Sequence, residues 1–461
     1  MAEFVRLPTR SVGLKFLLVC ALVLVMAVPT LSVWAVLYSR QQLHNQTTEE
    51  ISASAGGRQT ILGPVLTVPY AKQIEGVSSD GKPTRTTVAG EAVVFAETGK
   101  ADAKLAVETR SKGIYSAQIY KSEVAITATF SRDAAAKALG ALDPGAQFDW
   151  SRVRLVMGVS STTGLPNDIV VQFPNGEKRM LKPASVMIGA GTTTDYRGNA
   201  FSLVATPAAD LVAPSGATEV KTAFQLGGAE RFSIAAFANN TAATISSDWR
   251  NPSFEGLGLP DSRDIKESGF TANWSTGLSK RGLAEVSTDS NILVAVASKD
   301  FAVKLVEPTN VYTGVDRALK YSIMFIGLVF LAYFMFEIVS GARAHPAQYI
   351  MVGLAQAIFY LLLLAFAEQV GFTIAFVIAA TATVTLISLY VRAVFKKRVY
   401  LVPAFLTFSV VYALMYVLMQ LEEYSLLVGS LMSFAALAAL MYLTRNVAWY
   451  GAADEREKAG A

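Results

Sequence analysis

Few side chains in this 461-residue chain are of a type and spacing that could do acid–base, nucleophilic or metal chemistry. There are two histidines, His44 and His345, and a single cysteine, Cys20. No His-Glu-x-x-His zinc pattern occurs, and no Gly-x-x-x-x-Gly-Lys-Ser/Thr loop is present to cradle phosphates. Gly189-Ala-Gly191 and Gly256-Leu-Gly258 are isolated glycine pairs in turn-rich sequence. Carboxylates such as Asp261, Asp264 and Glu267 could supply an acid and a base for glycosidic cleavage, but spacing alone designates no pair. No catalytic residue, metal ligand or cofactor is therefore expected.

Ionisable and amide groups inside apolar runs are costly and therefore informative. Glu337 lies about one turn from the end of one such run, within reach of Arg343, and Glu368 lies at the end of another. Gln356 is the strongly polar side chain nearest the middle of a run, where an interhelical hydrogen bond is the expected role. Ala375, Ala379 and Thr383, and Ala435 with Ala439, recur at four-residue spacing and allow close helix approach.

The elements that position these groups are apolar runs at 14–38, 319–340, 347–367, 370–391, 400–420 and 425–443, each near the 20 or so residues that span a bilayer. Their polar faces are too small for soluble core helices. Pro29 and Pro403 are expected to kink or open their helices. Lys and Arg alternate in the connections: Arg6, Arg10 and Lys15, then Arg343, then Arg392, Lys396, Lys397 and Arg398, then Arg445. The intervening loops carry Glu368, Glu422 and Glu423 and no basic residue. Both termini (1–13 and 444–461) are then expected in the cytoplasm, with residues 39–318 on the far side. The first run follows basic residues as a cleaved signal would, but its length and the interfacial Trp34 and Tyr38 favour an uncleaved anchor. The net charge of +4 is carried largely by the inside-facing loops and does not indicate nucleic-acid binding.

Residues 39–318 read as strand and turn. Val124–Phe130, Val153–Val159, Asp168–Phe173, Phe232–Phe237, Ile292–Val296 and Phe301–Val306 are expected strands. Ser79-Asp-Gly81, Pro174-Asn-Gly176 and Leu226-Gly-Gly228 are expected turns. One helix is expected over Asp133–Leu142, with Ser131 or Asp133 as N-cap and Asp143-Pro144 to stop it. The polar stretch Gln41–Arg58 either prolongs the first helix until Gly56-Gly57, which Leu43, His44 and Ile51 favour, or serves as a linker. With its one cysteine in the first span, this region has no disulfide and must rest on its own core. The expected fold is an α+β membrane protein: one N-terminal and five C-terminal transmembrane helices around a large β-rich domain, sandwich-like or meander, with a split near Asp143–Trp150 open.

Several motifs are more specific. His345-Pro-Ala-Gln-Tyr-Ile-Met-Val-Gly353, with Phe359–Leu364, Glu368 and Gly371-Phe-Thr373, resembles the CreD family of inner-membrane, cell-envelope integrity proteins of Gram-negative bacteria. Leu443-Thr-Arg-Asn446 with Trp449-Tyr450, Ser247–Phe254, Gly63-Pro64 with Pro69, Gly113-Ile-Tyr115 and Glu267–Phe270 fit the same family. The resemblance implies a multi-pass plasma-membrane protein with a periplasmic domain, linked to a two-component stress regulon and to tolerance of β-lactams and colicin. It supplies no catalytic residues.

Read physically, the motif residues are architectural. Trp249, Pro252 and Phe254 would plug a corner of the β domain. His345, Pro346, Gln348, Tyr349 and Gly353 would set a tight turn and a close helix contact. Arg445, Asn446, Trp449 and Tyr450 would anchor the last helix at the headgroups. The expected function is a non-enzymatic envelope-integrity factor whose partners are the bilayer and envelope proteins or peptidoglycan, with the oligomeric state left open. The alternatives are a transporter or channel using Glu337, Gln356 and Glu368, and a periplasmic enzyme acting on peptidoglycan or lipid.

Overall fold

The computed structural model describes residues 12–77, 83–186, 188, 201–210, 212, 216–306, 311–395, 398–420 and 425–445. The chain divides into two compact units, Met1–His44 with Thr309–Ala461, and Asn45–Pro308.

The first unit is helical. Helix α1 (Val12–Val25) and helix α2 (Ala27–Ser54) are interrupted at Met26. Pro29 has no N–H for the carbonyl of Val25, which accounts for the break. α2 runs on past the apolar segment to Ser54 and ends where Gly56 (φ +107°) and Gly57 (φ +67°) take left-handed conformations. Helix α3 (Arg132–Leu142) and the short α4 (Leu278–Arg281) and α5 (Ile292–Ala297) belong to the second unit. In the first unit, α6 (Val311–Lys320) precedes α7 (Ser322–Ser340), α8 (Pro346–Val370), α9 (Phe372–Phe395), α10 (Leu401–Gln420) and α11 (Ser425–Thr444). By length and composition Gly13–Ser54 and α7 to α10 can cross a membrane, and α11 is a further apolar helix of 20 residues. Five clustered apolar helices and an N-terminal one are thus present. The run expected from 319 is two helices: α6 has a buried stripe of Tyr312, Val315, Ala318 and Leu319, and the span itself starts at Ser322.

The second unit is a β-sandwich of two sheets around one core. Its strands are β1 (Gln59–Val77), β2 (Pro83–Val94), β3 (Ala96–Lys112), β4 (Tyr115–Ser131), β5 (Ala146–Phe148), β6 (Arg154–Val159), β7 (Val170–Gln172), β8 (Lys178–Met180) and β9 (Lys182–Pro183). They continue with β10 (Ser202–Pro207), β11 (Ala217–Ala229), β12 (Arg231–Ala235), β13 (Ala238–Ser247), β14 (Pro252–Gly256), β15 (Ser262–Lys266), β16 (Gly269–Thr276), β17 (Val286–Ser287) and β18 (Asp300–Leu305). One sheet runs β14-β18-β12-β1-β6-β10-β9, with β2, β5 and β17 attached beside it; the other runs β15-β16-β13-β3-β4-β11-β7-β8. Most pairs are antiparallel, but β1 pairs β12 and β3 pairs β13 in parallel.

Period-two burial explains the second sheet: Val220, Thr222, Phe224 and Leu226 point inward from β11, and Val124, Ile126, Ala128 and Phe130 from β4. Phe237 joins the two layers. A Cβ added to Gly63 on β1 or to Gly99 on β3 would lie 2.5 Å from its ring, so both glycines are the space the ring occupies.

Several expectations change. Ile292–Val296 is helical rather than extended, within α5, with Ala295 N–H bonded to the Asn291 carbonyl. Leu226-Gly-Gly228 is not a turn but lies within β11, where a Cβ on Gly228 would sit 2.3 Å from the Tyr120 hydroxyl. Asp168–Phe173 shortens to β7. No division falls near Asp143–Trp150, since Asn45–Pro308 is one unit. The expected helix is α3, and Ser131 rather than Asp133 caps it, accepting from Ala134 N–H. Ser79–Gly81 and Gly189–Gly191 lie outside the described residues.

Candidate functional site

The polar groups of the membrane unit gather at three levels of α8. At its N-terminal end, Glu337 of α7 is 5% exposed and receives three donors. Lys15 of α1 forms an ion pair with Oε1, Ala344 N–H donates to the same oxygen at 3.0 Å, and the Tyr349 hydroxyl donates to Oε2 at 2.8 Å. Lys15 also donates to the Ala344 carbonyl at 2.9 Å. Arg343, the expected partner, is exposed, and no ion pair joins it to Glu337. Lys15 was legible as a topological charge, but nothing in sequence placed it against a residue more than 300 positions away.

His345 is the N-cap of α8: its Nδ1 accepts from Ala347 N–H at 3.2 Å, while the Gln348 side chain accepts from His345 N–H at 2.9 Å. With Pro346 in the first turn this is a complete capping box. One turn after Tyr349, Gly353 is a notch. A Cβ there would lie 2.4 Å from Met26 Sδ and 2.9 Å from Phe330 Cζ, so α8 touches both α7 and the broken first helix through it. Gln356 is 2% exposed and its Nε2 donates to the Phe325 carbonyl at 3.4 Å. Its Oε1 and the Tyr412 hydroxyl have no hydrogen-bond partner among the described residues. At the far end of α8, half-buried Glu368 accepts from the Tyr312 hydroxyl at 3.0 Å, and the Tyr312 ring lies 5.3 Å from that of His44. Ala375, Ala379 and Thr383 are buried on one face of α9, whereas Ala435 on α11 is exposed. Arg445 stacks on Tyr442 at 4.2 Å; Asn446, Trp449 and Tyr450 lie outside the described residues.

In the β unit, Trp249 and Phe254 are half-buried against the core. Phe254 meets Phe270 and Trp274 edge-on at 5.8 Å, Trp249 Nε1 donates to the Asn251 carbonyl, and Pro252 opens β14. Two features had no signal in sequence. Arg281 is fully buried, stacked 4.4 Å over Phe95, with one terminal nitrogen bonded to Asn239 Oδ1 and to the carbonyls of Leu283 and Ala284. Burial pushes its guanidinium down to about 10. Glu230, at the β11–β12 corner with φ +61°, receives Ser52 and Arg58. That strain is tolerated because both carboxylate oxygens are engaged.

The outward face of the second sheet carries a depression of about 660 Å³, lined by Asp102, Lys104, Glu123, Asp168, Gln225 and Thr244 among others. Register defines its floor. Thr271, Ser246, Lys104, Glu123 and Gln225 sit opposite one another across β16, β13, β3, β4 and β11. The adjoining row is Asn273, Thr244, Asp102, Ala125 and Ala223. Such rows span about 20 Å at the usual interstrand spacing. Lys104 also lines the two neighbouring depressions, so the three are contiguous around it. The floor offers hydroxyls, amides and both signs of charge, a surface for hydrogen bonding an extended ligand. Among the described residues no three His, Cys, Asp or Glu side chains are grouped so as to hold a metal ion.

The chain matches the family model described as inner membrane protein CreD over residues 11–450. It is 29% identical over 439 residues to the inner membrane protein CreD of Escherichia coli K12, covering 95% of this chain and 93% of that one. A crystal structure from Parabacteroides distasonis ATCC 8503 aligns with 65% of this chain and 58% of its own at 8% identity and a TM-score of 0.23. The chain therefore belongs to the CreD family of inner membrane proteins.

Proposed function

We propose that this protein is a non-enzymatic envelope-integrity factor, in which the membrane unit anchors a periplasmic β domain that binds envelope proteins or wall material. The supporting observation is the five-strand polar face centred on Lys104: it presents a wide hydrogen-bonding floor, and both histidines of the chain belong to the other unit. The alternation of basic and acidic loops supports termini in the cytoplasm and the β domain outside. Tolerance of β-lactams and colicin is the phenotype this binding would serve.

A photo-crosslinking residue placed at Ala125 or Ala223 in cells tests the reading, since both side chains stand in the floor without structural partners to lose. Capture of a defined envelope component, abolished by Lys104→Glu with Glu123→Ala, is the expected result. Turnover of wall fragments or lipid by the purified full-length protein would overturn the non-enzymatic reading. No capture at either position, with tolerance unaffected by the two substitutions, would remove this face as the contact surface.

A further inference from the structure

We infer that Lys15 is the counter-charge that admits Glu337 to the interior of the bundle, which makes the first helix an assembly-determining member of the membrane unit rather than a removable leader or a simple tether. Glu337 is 5% exposed, and its two oxygens are filled by three donors from three separate segments: Lys15 on α1, Ala344 N–H in the α7–α8 turn, and Tyr349 on α8. The neutral donors fix its orientation, and among the described residues Lys15 alone brings a full positive charge, since Arg343 is exposed and forms no ion pair with it. An isolated carboxylate buried among apolar helices carries a large desolvation cost. A lysine on a lone first helix would reach for the headgroups. Pairing offsets part of the desolvation cost of each.

Packing continues the contact along the helix. The Phe16 ring lies 5.9 Å from Phe334, one turn before Glu337 on α7, and Met26 at the break in the first helix fills the notch at Gly353 on α8. The charge pair and the notch therefore fix both the rotation and the depth of the first helix against α7 and α8. A chain losing this helix would leave Glu337 unpaired and the notch empty. The pair also sets an order of events: α7 reaches its final place only against a first helix inserted some 300 residues earlier.

The experiment uses the full-length protein in native membranes, in a Cys20→Ser background carrying Phe16→Cys and Phe334→Cys. A short bifunctional thiol reagent reports docking of the first helix on α7, and thermal unfolding in mild detergent reports stability. Lys15→Met or Glu337→Gln alone is expected to lower the crosslink about tenfold and to depress the melting temperature, as when a buried pair loses one partner. Lys15→Met combined with Glu337→Leu, and the exchange Lys15→Glu with Glu337→Lys, are expected to recover most of both signals. Crosslinking and melting of the single variants at the parental level would overturn the inference. So would failure of both double variants to recover when the singles do not accumulate, because the defect would then lie in each position and not in the pair.

Discussion

At the scale of single residues, the structure separates positions that hold the bundle together from those that only occupy it. Gly353 belongs to the first kind: its hydrogen is the gap through which α8 meets Met26 and Phe330. Gly353→Leu is expected to destabilise the membrane unit by about 1–3 kcal/mol through overpacking, read as a lower melting temperature in detergent. Met26→Ala should relieve part of that loss. Gln356 belongs to the second kind, with one long hydrogen bond at 3.4 Å and an unpaired Oε1. Gln356→Leu is expected to change stability by less than about 1 kcal/mol and to leave antibiotic tolerance intact. Loss of tolerance with retained folding would instead favour a transport role.

At the scale of elements, caps and corners carry much of the definition. Ser131 accepts the Ala134 N–H and starts α3; Ser131→Ala should cost about 0.5–2 kcal/mol and speed hydrogen exchange in the first turn of that helix. Asp261 fastens the entry to β15 onto β16 by accepting the Ser275 hydroxyl and N–H, bonds that hold its carboxyl below the ordinary value of 3.8. A carboxylate whose folded pKa is depressed lends stability above its unfolded value and loses it as pH falls through the folded one. Exchange protection at Ser275 is therefore expected to hold near neutrality and to collapse on acidification below about pH 4, while Asp261→Asn should show weaker protection and no such acid step. These elements also show where sequence was readable. Ser131 followed by an apolar helical period announced α3, and His345-Pro346 announced the start of α8. Ile292–Val296 misled because a β-branched run reads as strand, whereas the local bond from Ala295 N–H to Asn291 closes a helical turn. Leu226-Gly-Gly228 misled because glycine signals a turn unless something distant needs its space, and here that is the Tyr120 hydroxyl.

At the scale of the molecule, hydropathy made the helical unit visible because the bilayer imposes a length and a composition on each span. Alternation made many strands of the β unit visible, but not their partners, since register is set by residues far apart in the chain. The polar floor around Lys104 was illegible for that reason: its rows combine residues from β3, β4, β11, β13 and β16, each unremarkable on its own strand. Joining Asn45–Pro308 to an unrelated inner-membrane anchor is expected to restore β-lactam tolerance to cells lacking this protein if the bundle serves as platform. A folded but inactive fusion would assign activity to the helices.

The parallel pairing of Gln59–Ile61 with Phe232–Ile234 has a further consequence. The central strand of the larger sheet opens the domain, yet the strand beside it is made some 170 residues later, and β18, which flanks that one, closes the domain. Leu66–Val77 of β1 pairs with β2 as soon as that strand is made, but at about 5–20 residues per second of synthesis the Gln59–Ile61 end waits roughly 9–35 s for its parallel neighbour. Until β12 is made, the first three residues of β1 are an open edge. The domain's maturation is a race between completion of its last strand and capture by other unfinished chains, and on the proposed topology it should depend on periplasmic holding chaperones more than the helical unit does.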